Sequence, residues 1–396
     1  MNTRALLSPR GRRFAARHIL TGLSALALSA CAGVIPESNA PVTTVPPAPA
    51  ATPDATILPD VDEERHRVAM LVPLSGEHAA VGQSLANAAT MALLDTNTAN
   101  MRITSYDTAG GSAEAARKAI FDGNGLILGP LLSEDIAAVK SVAGPARVPL
   151  ISFSNNSEVA GDGAYVMGQI PAQSIERTMR HAIDQGLTEF GALVPSGEYG
   201  RRASASMLAF ARANGARVLG MESYDRSTAS LTTAVDRLAA KGDYQAILVA
   251  DGARMAVRAG PLLRDREAGA RLLGTELWSG EAQIAQARSL RGAWFSAVPD
   301  GRYQRFADSY RSRFGAAPYR ISTLGYDAVL LAIKSSQGWD LGERFPADEL
   351  REEGGFIGLD GAFRFEDGLV RRSFEVREVT PDGVRVVSPA PTKFGD

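Results

Sequence analysis

The side chains that most often carry out chemistry are few in this chain, and their spacing does not indicate an active site. The sequence has one cysteine, Cys31, and four histidines. It contains no phosphate-binding G-x-x-x-x-G-K-[ST] loop, no zinc-binding H-E-x-x-H pair and no G-x-S-x-G nucleophile motif. Three histidines follow Cys31, and they are scattered without the spacing of metal ligands: His66, His78 and His181. We therefore predict a protein that is not an enzyme and that binds neither a cofactor nor a metal ion.

The segment around Cys31 indicates a role for its thiol other than catalysis or metal binding. Residues 1–30 have the layout of a secretory signal, with five arginines before an apolar run from Ile19 to Leu28 that is too short to cross a bilayer as a permanent helix. The run ends in Leu28-Ser29-Ala30-Cys31, which resembles the lipobox of bacterial lipoproteins. That resemblance implies cleavage of a signal peptide over 1–30 and lipidation of Cys31. A free or intermolecular thiol is the alternative.

The resemblance to lipoproteins also implies a location. An aspartate directly after the lipidated cysteine favours retention in the inner membrane of Gram-negative bacteria, and this chain has Ala32 there. We therefore expect a periplasmic protein anchored by lipid, with the outer membrane favoured over the inner membrane.

The residues that follow the cysteine predict a tether. Residues 31–65 are rich in proline, alanine, threonine and valine and show no helical or strand period, so we expect a semi-rigid extended stem. Loss of residues 1–30 removes five arginines and no acids, which takes the formal net charge from -2 to -7. An acidic chain is a poor partner for nucleic acid or for an anionic lipid surface. Membrane association is therefore expected only through the lipid.

Beyond the tether, short apolar runs alternate with amphipathic stretches. This β-α alternation predicts parallel sheets covered by helices on both faces. It falls into two similar halves, which predict two doubly wound, Rossmann-like lobes in a domain over 66–390, with a ligand cleft between them beyond the carboxyl ends of the strands. We assign 66–170 and 300–355 to the first lobe, and 171–299 and 356–390 to the second.

Short motifs within this region resemble a known family. Six pieces appear in the order in which they occur in the leucine-binding, type I periplasmic binding proteins. They are Val68-Ala69-Met70-Leu71-Val72-Pro73-Leu74-Ser75-Gly76, Asp107-Thr108-Ala109-Gly110, Leu128-Gly129-Pro130-Leu131-Leu132-Ser133, Glu198-Tyr199-Gly200 and Gly325-Tyr326-Asp327-Ala328, with Val148-Pro149-Leu150-Ile151-Ser152-Phe153-Ser154 between the third and the fourth. The resemblance implies the two-lobed fold of these proteins over roughly residues 66–380.

The resemblance also implies a set of ligand-binding residues. In these receptors hydroxyls and backbone N–H groups of the first lobe hold a ligand carboxylate, and the matching positions are Ser133, Ser154 and Asn156. An acid of the second lobe meets the ligand ammonium, and Glu276 stands at that position. Tyr199 keeps its place beside a glycine. Two alternatives stay open, because Ser133 is also suited to capping a helix and Tyr199 to packing.

Departures from the family pattern leave two functions open. Val81 replaces an aromatic residue that covers the ligand, Asn156 replaces a threonine, and Ala250-Asp251 replaces a tyrosine. One function is a receptor that binds a small polar, amino-acid-like solute and delivers it to an ABC permease. The same segments also resemble the penicillin-binding protein activators, outer-membrane lipoproteins that stimulate a peptidoglycan synthase. The proline-rich tether and Cys31 fit this second group somewhat better.

Overall fold

The computed structural model describes residues 64–394, so the signal segment, Cys31 and nearly all of the tether lie outside the described residues. The strands are β1 His66–Val72, β2 Met101–Asp107, β3 Leu126–Leu128, β4 Leu150–Ser152, β5 Ala164–Val166, β6 Glu189–Pro195, β7 Arg217–Tyr224, β8 Ala246–Val249, β9 Arg271–Gly274, β10 Trp294–Ala297, β11 Phe356–Gly358, β12 Gly361–Glu366, β13 Leu369–Arg372, β14 Glu375–Thr380 and β15 Gly383–Ser388. The helices are α1 Ala79–Thr96, α2 Ser112–Phe121, α3 Ser133–Ala146, α4 Pro171–Asp184, α5 Glu198–Ala213, α6 Thr228–Ala239, α7 Ala253–Arg266, α8 Ala282–Gln286, α9 Tyr303–Phe314 and α10 Thr323–Ser335.

The first lobe is built on an eight-stranded sheet with the order β11-β12-β13-β5-β4-β3-β1-β2. Neighbouring strands from β13 to β2 pair in parallel, and β11, β12 and β13 pair antiparallel. Strand β1 is buried on both faces, as the central strand of such a sheet must be. Val68 and Met70 pack with α1 and α10 on one face, while Ala69 and Leu71 pack with α2 and α3 on the other.

The second lobe repeats this plan with a seven-stranded sheet of order β15-β14-β10-β9-β8-β6-β7. Strands β6 to β10 pair in parallel, and the hairpin of β14 and β15 joins β10 antiparallel. Phe190 and Ala192 of β6 pack with α4 and α5, and Leu193 packs with α6 and α7 on the opposite face. The predicted fold class of two doubly wound α/β lobes is confirmed, with antiparallel strands added at one edge of each sheet.

The strand order corrects the expected assignment of 356–390 to the second lobe. Strands β11, β12 and β13 belong to the eight-stranded sheet, so the first lobe extends to Arg372 and only β14 and β15 join the second lobe. The reason is packing, because the buried side chains of Phe363 and Phe365 lie in the apolar core of the first lobe with Trp339 and Leu350.

Three short segments connect the lobes. Residues 167–170 lead from β5 of the first lobe to α4 of the second. Residues 298–302 lead from β10 back to α9, which packs against α1 through Phe306. Residues 373–374 lead from β13 to β14. Few backbone bonds therefore have to rotate for the lobes to change their relative orientation.

Gly82 lies in the first turn of α1 and packs against Pro73, in the loop that leads from β1 into this helix. A Cβ atom at this position would lie 1.8 Å from the carbonyl oxygen of Pro73. We expect Gly82→Ala to lower the free energy of unfolding by about 2 to 3 kcal/mol, since backbone or helix must move to admit the methyl group. Urea unfolding of the purified protein measures this change.

Gly110 provides the matched control, because a Cβ atom there meets no other atom within 4 Å. Gly110→Ala is expected to change stability by less than about 0.5 kcal/mol. Equal effects of the two substitutions would contradict the close approach of α1 to Pro73.

Candidate functional site

A cavity of about 490 Å³ lies between the two lobes, beyond the carboxyl ends of their strands. The first lobe contributes both polar and apolar side chains to it: His78, Val81, Leu131, Leu132, Phe153, Ser154, Asn155, Gln169, Arg320, Ile321 and Leu324. The second lobe contributes residues that follow β9: Glu276, Leu277, Ser279 and Glu281. The cavity has the size and the mixed lining of a small-molecule site.

Glu276 is the most unusual polar residue of this cavity. It follows β9 in a short 3₁₀ turn, and its backbone N–H donates to Ser174 Oγ at 2.8 Å. Only 7% of the residue is exposed. Its Oε1 accepts a hydrogen bond from the hydroxyl of Tyr199 at 3.1 Å, while Oε2 has no hydrogen-bond partner among residues 64–394. Burial raises the pKa of Glu276, against the opposing effect of its hydrogen bonds.

Tyr199 lies behind Glu276 in the second lobe. Its hydroxyl is 3.1 Å from Glu276 Oε1 and 3.1 Å from Thr275 Oγ1. Burial, and then the charge of Glu276, raise the pKa of this phenol, so it acts as a neutral hydrogen-bond donor. The ring also packs against the apolar core formed by α4, α5 and β6. Tyr199 therefore positions the carboxylate from behind and does not line the cavity itself.

The predicted residues of the first lobe occupy different places. Ser154 lines the cavity and its Oγ accepts a hydrogen bond from the backbone N–H of Asn156. The side chain of Asn156 accepts from the backbone N–H of Glu158 and so caps its own loop, while the adjacent Asn155 lines the cavity. Ser133 is the first residue of α3, with no side-chain cap at this helix start, and it does not line the cavity.

Arg320 is a cavity residue that the sequence motifs did not single out. Its Nη1 donates to Asp360 Oδ1 at 2.8 Å and to Thr323 Oγ1 at 3.2 Å. The guanidinium also lies 4.3 Å from the centre of the Tyr303 ring. Asp360 is fully buried, and it also lies within 3.4 Å of the side-chain amide of Gln169, another cavity residue. Burial opposes ionisation of Asp360, but the guanidiniums of Arg320 and Arg372 outweigh it and lower its pKa.

No sequence signal pointed to Arg320, because its partner Asp360 lies 40 residues further along the chain. It stands five residues before the Gly325-Tyr326-Asp327 motif, in a loop whose shape depends on the long-range return of β11 and β12. Composition and spacing do not report such a contact.

The structure also shows where the side chains that depart from the family pattern lie. Val81 lines the cavity with an aliphatic side chain. Ala250 is buried, and Asp251 is held inside the second lobe by the hydroxyl of Tyr224 at 2.9 Å and by Arg226 Nε at 2.9 Å. The second lobe therefore presents Glu276 rather than an aromatic ring to the cavity.

Residues 64–394 lack two further features. No group of three or more histidine, cysteine, aspartate or glutamate side chains in this range is arranged to hold a metal ion. No helix in the same range has the length and apolar character needed to span a bilayer.

The buried carboxylate of Glu276 predicts a dependence of stability on pH. Because the pKa in the folded protein is raised above 4.5, the charge on Glu276 opposes folding, and its effect appears as the pH rises through the raised pKa. We expect Glu276→Gln to be more stable than the wild type near pH 8 and to lose most of that advantage near pH 4. Thermal unfolding of both proteins across this range measures the difference.

Glu114→Gln serves as the control, since Glu114 is an exposed helical carboxylate paired with Arg117. A stability advantage of Glu276→Gln that grows toward low pH would contradict an uncompensated charge at this position.

Similar folds occur among solved structures of low sequence identity. A putative branched-chain amino acid ABC transporter protein from Rhodospirillum rubrum matches with a TM-score of 0.71 and 19% identity, over 82% of this chain and 100% of the other. A branched-chain amino acid ABC transporter periplasmic ligand-binding protein from Burkholderia xenovorans matches with a TM-score of 0.65 and 17% identity, over 84% and 96%. The C-domain of LpoA from Haemophilus influenzae, a regulator of PBP1A, matches with a TM-score of 0.63 and 17% identity, over 81% and 99%.

At the level of amino-acid sequence, the chain is similar to a curated protein and to a family model. An uncharacterized protein of Rickettsia prowazekii is 30% identical over 151 residues, which are 37% of this chain and 40% of that protein. This chain therefore spans about two fifths of the length of that curated relative. The model of the Periplasmic binding protein family, whose members are solute-binding proteins, matches residues 66–373. The chain belongs to the periplasmic binding protein family.

Proposed function

We propose that this protein is a non-enzymatic receptor that binds a small, amine-bearing solute between its two lobes. One observation carries the proposal: the buried carboxylate of Glu276 lines a cavity of about 490 Å³ and has one oxygen without a hydrogen-bond partner among residues 64–394. An ammonium group of a bound solute supplies the missing donor and the missing positive charge.

The other walls of the cavity indicate the rest of the solute. Val81, Leu131, Leu132, Ile321 and Leu324 form an apolar surface in the first lobe. Ser154, Asn155 and Gln169 interrupt that surface with polar groups that can orient a ligand. A molecule of amino-acid size with an apolar body matches this lining, which supports an amino-acid-like ligand.

The connections between the lobes support a receptor that closes on its ligand. Glu276 belongs to the second lobe and the apolar wall to the first, so a solute touching both stabilises the closed arrangement. Rotation occurs about the three segments 167–170, 298–302 and 373–374. We propose that the closed form delivers its solute to an ABC permease. We also propose that lipidation of Cys31 anchors the protein on the periplasmic side of a membrane, with the outer membrane favoured over the inner membrane.

A thermal-shift screen of the free L-amino acids tests the receptor function. A solute that binds the folded protein raises the unfolding midpoint with concentration, by about 2.7 kcal/mol of stability at a hundredfold excess over Kd. We expect at least one amino acid to produce this shift in the wild type, no shift in Glu276→Gln, and an unchanged shift in the exposed control Glu114→Gln. Absence of any shift, or an equal shift in Glu276→Gln, would refute amine binding by Glu276.

A second function is favoured by the departures from the receptor pattern. Asn156 is committed to its own loop, Asp251 is tied to Tyr224 and Arg226, and Val81 gives the cavity no aromatic cover. These features fit an activator whose outer surface binds a peptidoglycan synthase while its cleft binds little. The tether of residues 31–65 suits a protein that must reach such a synthase from the outer membrane.

Affinity purification from crosslinked cell envelopes separates the two functions. An activator is expected to retain a peptidoglycan synthase, equally in the wild type and in Glu276→Gln, because Glu276 lies inside the cleft. A receptor is expected to retain ABC permease subunits instead. Recovery of permease subunits without a synthase would exclude the activator function.

A further inference from the structure

We propose that the cleft selects a solute that carries two amine groups, one bound by Glu276 and the other by Glu281. This inference rests on the proposed receptor function and names the chemistry of its ligand. The ligand class is a dication with an apolar middle, such as a diamine, and a carboxylate on the solute contributes nothing to its binding.

The two glutamates line the same cavity from one segment of the second lobe. Both lie between β9 and α8, where Glu276 begins a short 3₁₀ turn and Glu281 directly precedes α8. Leu277 and Ser279 stand between them in the sequence and also line the cavity. A single loop therefore presents two carboxylates and an apolar side chain to the same space.

Neither glutamate forms an ion pair within the described chain. Glu276 Oε1 accepts a hydrogen bond from the hydroxyl of Tyr199, and its Oε2 has no hydrogen-bond partner among residues 64–394. Glu281 Oε2 accepts a hydrogen bond from the side-chain amide of Gln283 at 3.2 Å. Tyrosine and glutamine are neutral donors, so both negative charges remain for the cations of a ligand. Glu281 is exposed to solvent, which lets an amine reach it from the open cleft.

The guanidinium that lines this cavity, that of Arg320, is balanced by acids other than the two glutamates. Its Nη1 donates to Asp360 Oδ1 at 2.8 Å, and its Nη2 lies 3.9 Å from Asp300 Oδ1. Burial opposes the charge of Arg320, but Asp360 and then Asp300 outweigh it and raise its pKa. The positive charge of Arg320 is therefore neutralised from within the first lobe and the connecting segment 298–302.

The charges behind Arg320 also balance as a group. Three guanidiniums and three carboxylates form one connected cluster: Arg320, Arg372, Arg377, Asp300, Asp360 and Glu375. Asp327 lies beside Asp360 in the same buried cluster and adds only negative charge when it ionises. The cluster has no excess positive charge to offer the cleft, whose net charge is therefore negative and comes from Glu276 and Glu281.

The wall that the first lobe contributes suits the middle of such a solute. A chain of methylene groups that joins two amines is stabilised by packing against apolar side chains. Ser133 does not line the cavity and the Asn156 side chain caps its own loop, so neither is placed to bind a solute carboxylate. Ser154 remains on this wall as a neutral polar group. The apolar side chains of the wall are Val81, Leu131, Leu132, Ile321 and Leu324.

Solutes of equal chain length that differ only at one end test this selection on the full protein. Titration calorimetry near pH 8 compares cadaverine, n-pentylamine and δ-aminovalerate, and a shorter series of putrescine, n-butylamine and γ-aminobutyrate covers a closer spacing of the two glutamates. We expect a diamine to bind roughly fivefold or more tightly than its monoamine, since a second ammonium meets Glu281. The amino acid of each series is expected to bind most weakly, because its carboxylate approaches an unpaired carboxylate. Equal binding of diamine and monoamine in both series, or tighter binding of the amino acids, would overturn the inference while leaving amine binding by Glu276 intact.

A variant assigns the second amine to its residue. Glu281→Gln removes the charge and keeps the size of the side chain, so it is expected to bring the diamine within about twofold of the monoamine and to leave the monoamine unchanged. Glu114→Gln, at the exposed carboxylate paired with Arg117, is expected to change neither. Equal weakening of diamine and monoamine by Glu281→Gln would contradict the assignment. If no amine binds the wild type, the receptor function fails, and the inference about Glu281 fails with it.

Discussion

A carboxylate that is buried without a compensating cation lowers the stability of a fold, and the cleft of this protein contains one. Glu276 is withdrawn from water at the wall of a cavity, and Tyr199, a neutral donor, satisfies only one of its oxygens. Burying an unpaired charge costs free energy, and ionisable groups in such surroundings cluster at functional sites. The proposed recognition of an amine-bearing solute in the cleft between the two lobes gives this carboxylate a partner.

The fold brings the groups together through connections that are distant in sequence. Glu276 comes from the end of β9, and Arg320 precedes α10 in the other lobe. The antiparallel strands β11 and β12 return to the first lobe and place Asp360 against Arg320. Arg320 also forms an ion pair at 3.9 Å with Asp300, which belongs to the connecting segment 298–302. The wall of the cleft and this connection between the lobes therefore share one cluster of charged side chains.

Sequence patterns predicted the parts of this structure that local chemistry decides. The apolar runs and their alternation with amphipathic helices were enough for the two-lobed fold. Glu276 was placed at the cleft by the resemblance to the leucine-binding proteins and not by local chemistry. The strands β11 to β13 were assigned to the wrong lobe, because their buried phenylalanines do not specify which sheet they complete. Arg320 was missed for the same reason, since its surroundings arise from long-range pairing. The lipidation of Cys31 and the binding roles of Ser154 and Glu276 stay predictions.

The ionisation of Glu276 itself is the most direct test of the central claim. Carbon-13 NMR of protein labelled in glutamate side chains follows each carboxyl through a pH titration, and Glu276→Gln identifies the signal. We expect a pKa above 4.5 for Glu276 in the free protein. We also expect this pKa to fall when an amine-bearing solute binds, because the ligand cation stabilises the charged form. A pKa that is already low in the free protein, or one that does not move with a bound solute, would contradict it.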